Sequence, residues 1–282
     1  MTFHGGQNTF VGQVALKVQD LERSLAFYQN IIGFRVLTQS ATEAVFTADG
    51  QTPLLSIEQR ADLLPKQSRT TGLYHFALLL PTRFDLGKVL KHLVESGYPL
   101  QGASDHLVSE AIYLADPDGN GIEIYRDRPS ETWEWNESEV VMATEPMDAQ
   151  GVLAASDGKA WAGLPKDTVM GHIHLHVSEL AQTEVFYQTL GFDVVNYFHN
   201  QALFMSTGRY HHHIGLNIWN GVGAPAPVDN SVGLKFFTLI FPNEAARNQI
   251  VKQLKAIGAD VIEENGQLFT NDPSGNKIKL VV

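Results

Sequence analysis

Two long segments of the chain repeat each other, and this internal repeat constrains the fold more than any other feature. Residues 14–34 read VALKVQDLERSLAFYQNIIGF, and residues 173–192 read IHLHVSELAQTEVFYQTLGF. Each segment combines an alternating strand pattern, an acidic turn and an amphipathic helix pattern that a glycine is expected to end. The repeated pairs Phe27-Tyr28 and Phe186-Tyr187 lie on these helices, and we expect them to be core residues.

A second pair of segments repeats further along each half. Residues 74–81 (YHFALLLP) match residues 235–242 (KFFTLIFP), and a helical pattern follows each of them. Both halves then close with an Asp-Pro-x-Gly-Asn turn and a strand, DPDGNGIEIY at 116–125 and DPSGNKIKLVV at 272–282. In such a turn, proline presets φ and glycine accepts a positive φ. The chain therefore contains four units of one strand, one helix and about three further strands.

The repeats divide the chain into two halves joined by a connector. The predicted units are 12–58 and 72–126 in the N-terminal half (1–126), and 170–220 and 233–282 in the C-terminal half (170–282). The connector, 127–169, is rich in Pro, Ser, Glu and Trp, and its tryptophans are suited to cover a domain surface or the mouth of a pocket. A length of 282 residues agrees with two domains.

Composition excludes several classes of function. The 31 acidic and 20 basic residues give a net charge of −11, which disfavours nucleic acid and anionic membranes as partners. The chain has no cysteine, which excludes disulfides, thiolate metal ligands and cysteine nucleophiles. The first residues lack the pattern of a secretory signal, and no apolar run approaches the ~20 residues that span a bilayer. We therefore expect a cytoplasmic protein without a membrane partner.

Three candidate metal ligands can each be tested against the aligned residue of the repeat partner. Units 2 and 3 have His75, Glu123 and His172 at the positions where units 4 and 1 have Phe236, Lys279 and Gln13. Phenylalanine cannot bind a metal, and lysine cannot replace a carboxylate ligand. The comparison therefore predicts one sheet that keeps its ligands and one that has lost them.

Strand alternation supports this set. In GHIHLHV the residues Ile173, Leu175 and Val177 form an apolar face, so His172 and His174 share the other face. Two imidazoles and one carboxylate on a concave sheet form the facial triad that suits non-haem Fe(II). Two alternatives remain: His174 as the third ligand, or a pairing of units 1 and 2 in which Gln13 and Glu58 join His75 and Glu123.

These motifs resemble the vicinal oxygen chelate (glyoxalase/bleomycin resistance/extradiol dioxygenase) superfamily over nearly the whole chain. The segments YHFALLLP, DHLVSEAIYLADPDGNGIEIY, GHIHLHVSEL and YHHHIGLNIW are similar to its bacterial catechol 2,3-dioxygenase branch. The resemblance implies an α+β fold in which four βαβββ units pair into two cupped mixed β-sheets flanked by helices. It implies a metal cup between units 2 and 3, with His75, Glu123 and His172 as ligands.

The same resemblance implies an activity. We expect an Fe(II)-dependent extradiol dioxygenase of aromatic hydrocarbon catabolism, with a small aromatic diol and O2 as partners and iron replaceable by Mn, Ni or Zn on purification. A homo-oligomer is compatible with the sequence. The alternatives are a glyoxalase-type metal-dependent isomerase and a non-catalytic small-aromatic binding or resistance protein of the same fold.

An acid–base histidine and a tyrosine near the metal are further implications. Tyr113, ten residues before Glu123, resembles the family's tyrosine, and His106, seven residues before Tyr113, resembles its histidine.

Alternation in the run 211–213 would turn His211 and His213 into the cup and His212 away from it. His213 is therefore another candidate acid–base residue. We expect His174, His211, Asn217 and Trp219 to line the substrate pocket.

Overall fold

The computed structural model describes residues 3–282, and the four predicted βαβββ units account for most of its regular structure. Unit 1 consists of β1 (Phe10–Val18), α1 (Leu21–Phe27) with a following π-helical turn (Tyr28–Ile32), β2 (Arg35–Gln39), β3 (Glu43–Thr47) and β4 (Leu55–Gln59). Unit 2 consists of β5 (Gly72–Leu79), α2 (Arg83–Ser96), β6 (Leu100–Asp105), β7 (Ser109–Ala115) and β8 (Gly121–Asp127).

The connector forms short elements of its own before the second half begins. It contains a 3₁₀ turn (Ser130–Thr132), β9 (Trp135–Asn136), β10 (Glu139–Val140), β11 (Glu145–Pro146) and α3 (Ala149–Ala155). Unit 3 consists of β12 (Val169–His176), α4 (Leu180–Thr189), β13 (Asp193–Phe198), β14 (Ala202–Ser206) and β15 (Ile214–Asn217). Unit 4 consists of β16 (Gly233–Ile240), α5 (Glu244–Ala256), β17 (Val261–Glu264), β18 (Gln267–Asn271) and β19 (Lys277–Val281).

Two mixed sheets are built from non-consecutive units. Units 1 and 4 form one sheet in the order β17-β18-β19-β16-β1-β4-β3-β2, and units 2 and 3 form the other in the order β11-β6-β7-β8-β5-β12-β15-β14-β13. The first strands of paired units run antiparallel, whereas each first strand runs parallel to the last strand of its own unit. The expected α+β fold of two cupped mixed sheets is confirmed.

Local sequence explains where the helices begin and end. The Thr82 side chain accepts a hydrogen bond from the Asp85 amide at the start of α2, and Asn243 does the same for Ala246 at the start of α5. Gly97 ends α2 with φ of 68°, a left-handed conformation that costs glycine little. The buried faces of the helices and strands meet in one large apolar core shared by both sheets.

Each Asp-Pro-x-Gly-Asn turn is tied to a helix of the preceding unit. The Tyr28 hydroxyl donates to Asp116 Oδ2 at 2.8 Å, and the Tyr187 hydroxyl donates to Asp272 Oδ2 at 3.2 Å. All four side chains are buried. The repeated tyrosines are therefore core residues that also hold the turns leading into β8 and β19.

The connector extends the sheet of units 2 and 3, because β11 pairs with its edge strand β6. Trp133 is buried against Phe3 and Tyr210, and Trp161 stacks on His92 with ring centroids 5.3 Å apart. Within residues 3–282, no helix has both the length and the apolar character needed to cross a membrane.

Candidate metal centre and its cavity

Three neighbouring strands in the sheet of units 2 and 3 bring the predicted metal ligands together. His75 lies on β5, Glu123 on β8 and His172 on β12, and β5 lies between the other two strands. Ala77 is in register with both Glu123 and His172 and therefore lies between them. Its side chain is only a methyl group, which leaves room for the larger side chains on either side. All three candidate ligands are buried.

The three potential ligand atoms form a nearly equilateral triangle. His75 Nε2 lies 3.1 Å from Glu123 Oε2, His172 Nε2 lies 3.2 Å from the same oxygen, and the two nitrogens are 3.3 Å apart. An octahedral ion with bonds of about 2.1 Å places the atoms of one face about 3.0 Å apart. The spacing therefore fits three ligands on one face of a metal ion.

The protonation states of the candidate ligands also suit the binding of a metal ion. Burial lowers the pKa of His172 to about 4 despite the opposing effect of Glu123, so this ring is neutral at neutral pH. Burial alone would raise the pKa of Glu123, but the two histidines hold it well below its usual value, so the carboxyl is ionised. His172 Nδ1 has no hydrogen-bond partner among residues 3–282, so it is free to carry the ring proton while Nε2 binds. The group can hold a divalent metal ion.

Neither alternative ligand set is assembled. His174 lies outside the group of ligand atoms formed by His75, Glu123 and His172, all of which fall within 4.8 Å of one another. Gln13 and Glu58 belong to β1 and β4 of the other sheet. In the described part of the chain, the sheet of units 1 and 4 contains no comparable group of metal-binding side chains.

A cavity of about 370 Å³ opens beside this centre. His75 and Glu123 line it directly, and the more deeply buried His172 completes the group beyond the lining. The apolar part of the wall consists of Val108, Ile122, Met142, Phe198, Phe204 and Trp219. Within residues 3–282, no lysine or arginine lines the cavity. The cavity thus suits a small, uncharged molecule.

Tyr113 and His106 line the cavity as a hydrogen-bonded pair. Tyr113 is directly opposite Glu123 in the pairing of β7 with β8, and His106 occupies the turn that precedes β7. His106 Nδ1 lies 2.7 Å from the Ala143 carbonyl, which must accept, so a neutral His106 accepts at Nε2 from the Tyr113 hydroxyl, 2.6 Å away. Burial and then the charge of Glu123 raise the pKa of Tyr113 well above its usual value, so the hydroxyl keeps its proton.

The structure places His212, rather than its two neighbours, in the cavity wall. The His212 ring centroid lies 4.1 Å from that of His172, and burial lowers the pKa of His212 well below its usual value. The expectation that His211 and His213 line the cup is wrong, because β15 begins only at Ile214 and strand alternation does not apply to the bend before it.

His213 has a structural role in place of the predicted catalytic one. Its Nδ1 accepts from the Thr207 amide at 3.3 Å, and its Nε2 donates to the Phe3 carbonyl at 3.2 Å. The ring is fully buried, and burial lowers its pKa well below the usual value. Both ring nitrogens are therefore used to fasten the N-terminal segment to the sheet.

The remaining predicted pocket residues divide into two groups. His174 and Trp219 line the cavity, and the buried His174 Nε2 has no partner within the described residues. Asn217 does not line it; its side-chain oxygen instead accepts from the Trp219 amide at 3.1 Å and contacts His176 Nδ1 at 2.6 Å. Asn217 thus contacts the backbone of the lining residue Trp219 without lining the cavity itself.

Sequence reasoning missed several wall residues. Met142, Ala143 and Thr144 belong to the connector, and Tyr74 precedes His75 on β5. The connector has no repeat partner, so the internal comparison carried no signal for it. For Tyr74, the repeat partner Lys235 was a signal, because an aromatic ring lies where the sheet of units 1 and 4 has a charged side chain.

Comparison with known proteins agrees with this geometry. A family model described as the Glyoxalase/Bleomycin resistance protein/Dioxygenase superfamily matches residues 11–124. Together with a full-length relative at 46% identity, this match shows that the chain belongs to that superfamily. The relative is the catechol-2,3-dioxygenase of Bacillus subtilis (strain 168), and the alignment covers 98% of this chain and 98% of that protein.

Solved structures share the fold at low sequence identity. A putative dioxygenase from Bacillus subtilis superposes with a TM-score of 0.63 at 13% identity, covering 98% of this chain and 86% of that one. Glyoxalase I from Zea mays superposes with a TM-score of 0.59 at 15% identity, covering 97% and 92%. These likenesses establish the architecture of the chain.

Proposed function

We propose that the protein is an Fe(II)-dependent extradiol dioxygenase that cleaves the ring of a small, uncharged catechol. The observation that carries the proposal is the triangle of His75, Glu123 and His172 beside an open, aromatic-walled cavity. Three ligands on one face leave the opposite face for a bidentate diol and O2. A relative 46% identical over its length, named catechol-2,3-dioxygenase, supports the assignment.

The donor set favours iron. Two imidazoles and one carboxylate with open positions are the typical ligands of non-haem Fe(II) oxygenases. When bound, a ferrous ion would supply a redox-active centre at which the diol and O2 lie side by side. The side chains of the cavity would perform the remaining steps, which are proton transfer and substrate binding.

His212 is placed to accept the second diol proton. Its ring packs against the candidate ligand His172, it lines the cavity, and burial keeps it neutral, the form in which imidazole acts as a base. Across the cavity, Tyr113 and His106 form a second proton path, because the tyrosine hydroxyl can accept a proton from the substrate while it passes its own proton to His106 Nε2. His174 Nε2 is free to hydrogen-bond a substrate oxygen.

The apolar wall fixes the ring and excludes water. Phe204 and Trp219 are packed around His174, with ring centroids 5.5 and 5.3 Å from it, at the side of the cavity away from Tyr113. Apolar side chains that pack on the substrate ring keep water away from it, which strengthens the hydrogen bonds there and limits side reactions. No basic side chain in the described lining offers a partner to a substituent carboxylate, which favours uncharged catechols.

The geometry does not favour a glyoxalase-type isomerase. That class calls for a fourth protein ligand and for basic residues that hold a carboxylate-bearing thiol conjugate. In the described residues, the metal-binding group has three members and the cavity lining has no lysine or arginine.

Reconstitution under anaerobic conditions tests the proposal. The full chain is loaded with Fe(II), mixed with catechol and exposed to air, while oxygen uptake and the yellow ring-fission product are followed. We expect both signals, and we expect Glu123→Ala to lose iron and activity while keeping its circular dichroism spectrum. Gln13→Ala, at the equivalent of His172 in the other sheet, is the matched control and should keep both. A wild-type protein that takes up no oxygen with catechol, methylcatechols or hydroquinones would exclude the proposed activity.

A further inference from the structure

A buried chain of hydrogen bonds runs from the cavity wall to the end of β8. His212 Nδ1 lies 2.8 Å from His211 Nδ1, and His211 Nε2 lies 2.8 Å from Asp127 Oδ1. His211 is fully buried, whereas the Asp127 side chain is 21% exposed. The chain therefore connects a cavity residue to the outer part of the sheet through one enclosed imidazole.

The proton positions in this chain follow from the chemistry of its far end. A carboxylate oxygen can only accept, so His211 Nε2 must carry the proton of their hydrogen bond. A neutral imidazole has one ring proton, so His211 Nδ1 is an acceptor and the proton between the two rings belongs to His212 Nδ1. This leaves His212 Nε2 without a proton.

His212 Nε2 is the atom left over for the cavity. It makes no hydrogen bond among residues 3–282, and its residue lines the cavity beside His172. A ring free to choose its tautomer would carry a proton there for part of the time, and a protonated nitrogen cannot accept one. The Asp127–His211 pair removes that possibility.

The surroundings hold Asp127 and His211 in place. The Tyr210 hydroxyl lies 3.2 Å from Asp127 Oδ1 and 2.7 Å from the Tyr125 hydroxyl. The Tyr210 ring lies against that of His211 with centroids 4.0 Å apart, and Trp133 of the connector contacts His211 from another side at 5.2 Å. The hydrogen-bonded chain is thus part of a packed aromatic cluster with little freedom to rearrange.

We infer that Asp127 and His211 are positioning residues that set the tautomer of His212, so that its cavity-facing nitrogen is always able to accept a proton. This inference rests on the proposed dioxygenase activity. Carboxylates that orient a histidine base work in the same way in serine proteases, where an amide in place of the carboxylate lowers kcat by about 10⁴-fold. Here the carboxylate of Asp127 acts on His212 through one additional imidazole, that of His211.

Tautomers can be read directly, without turnover. The full chain, labelled with ¹⁵N-histidine and loaded with diamagnetic Zn²⁺, is examined by long-range ¹H–¹⁵N correlation. We expect His212 to be protonated at Nδ1 and His211 at Nε2, and we expect Asp127→Asn to reverse both. A wild-type His212 protonated at Nε2 would overturn the inference.

Kinetics of the iron-loaded protein form the second arm. Asp127→Asn and His211→Phe should each lower kcat by about tenfold or more, with KM for catechol within about threefold of the wild type and unchanged iron content. Asp193→Asn, which makes the same change at an exposed carboxylate on β13 of the same sheet, is the matched control and should keep kcat within about twofold. Either of the first two variants with wild-type kcat would overturn the inference. Expected tautomers in a wild-type protein without ring-cleaving activity would instead overturn the proposed function alone.

Discussion

At the scale of single residues, the site depends on small side chains that make room for large ones. Gly215 is in register with His174 on the neighbouring strand, and a Cβ atom at Gly215 would lie 2.9 Å from His174 Cγ. Such an approach is closer than carbon atoms tolerate. The His174 ring can therefore lie close against β15, at the wall of the cavity, only because residue 215 has no side chain.

We predict that Gly215→Ala pushes the His174 ring into the cavity and weakens substrate binding. A loss of about 1 kcal/mol of binding free energy corresponds to a rise of about fivefold in KM, and we expect at least that rise for catechol, with metal content unchanged. Steady-state kinetics and metal analysis measure the two effects. Gly102→Ala is the matched control, because Gly102 also lines the cavity and a Cβ there would meet nothing within 4 Å. Equal KM values for the two variants would contradict the prediction.

Residue-level prediction from sequence succeeded where strands are regular. His172 and His174 lie within β12, where alternation correctly placed both on the face of the sheet that bears the metal-binding group. The same rule failed at residues 211–213, because the chain is still in a bend there and reaches β15 only at Ile214. Applying the strand pattern to three residues that precede the strand led to the wrong choice of imidazole for the cavity wall.

At the scale of elements, the repeated tyrosine and the repeated aspartate form a hydrogen bond that links a helix to a turn of the next unit. Burial raises the pKa of Asp116 even though Asn120 and Tyr28 donate hydrogen bonds to it. A carboxyl with a raised pKa binds its proton more readily in the folded state. Its contribution to stability therefore increases as pH falls from neutral towards the unfolded-state pKa, and decreases as pH rises through the folded-state pKa.

We predict that Tyr28→Phe lowers the free energy of unfolding by about 1–3 kcal/mol at neutral pH, because it leaves a buried carboxylate with one donor fewer. The loss should become smaller at about pH 5, as Asp116 takes up a proton and depends less on that donor. Urea unfolding of wild type and variant at both pH values measures it. Tyr187→Phe is the internal comparison and should follow the same trend, with a smaller loss for its longer 3.2 Å contact. A loss that does not change with pH would refute this account of the turn.

The order of elements was predictable because repeated segments of the chain can be aligned with each other. Four copies of one pattern located the units to within a few residues, for example the predicted 72–126 against β5–β8, which end at Asp127. The connector was not predictable in this way. Its residues Met142–Thr144 line the cavity only because β11 pairs with β6, and a two-residue strand has no periodicity to detect.

At the scale of the whole molecule, the two sheets have the same construction and different contents. In the sheet of units 1 and 4, the positions equivalent to the candidate metal ligands hold Gln13, Phe236 and Lys279, and the Lys279 ammonium lies 5.9 Å from the centre of the Phe236 ring. In the sheet of units 2 and 3, the same positions hold His172, His75 and Glu123. The three candidate ligands are therefore concentrated in one sheet because the two inner units pair with each other and the two outer units pair with each other.

The central claim is that one sheet binds one metal ion through these three side chains. Crystals of the full chain, loaded anaerobically with Fe(II), can be measured with X-rays above and below the iron absorption edge. We expect a single anomalous peak per chain within bonding distance of His75 Nε2, Glu123 Oε2 and His172 Nε2. A peak bound by His174 in place of His172, a peak in the sheet of units 1 and 4, or no iron peak at full loading would contradict it.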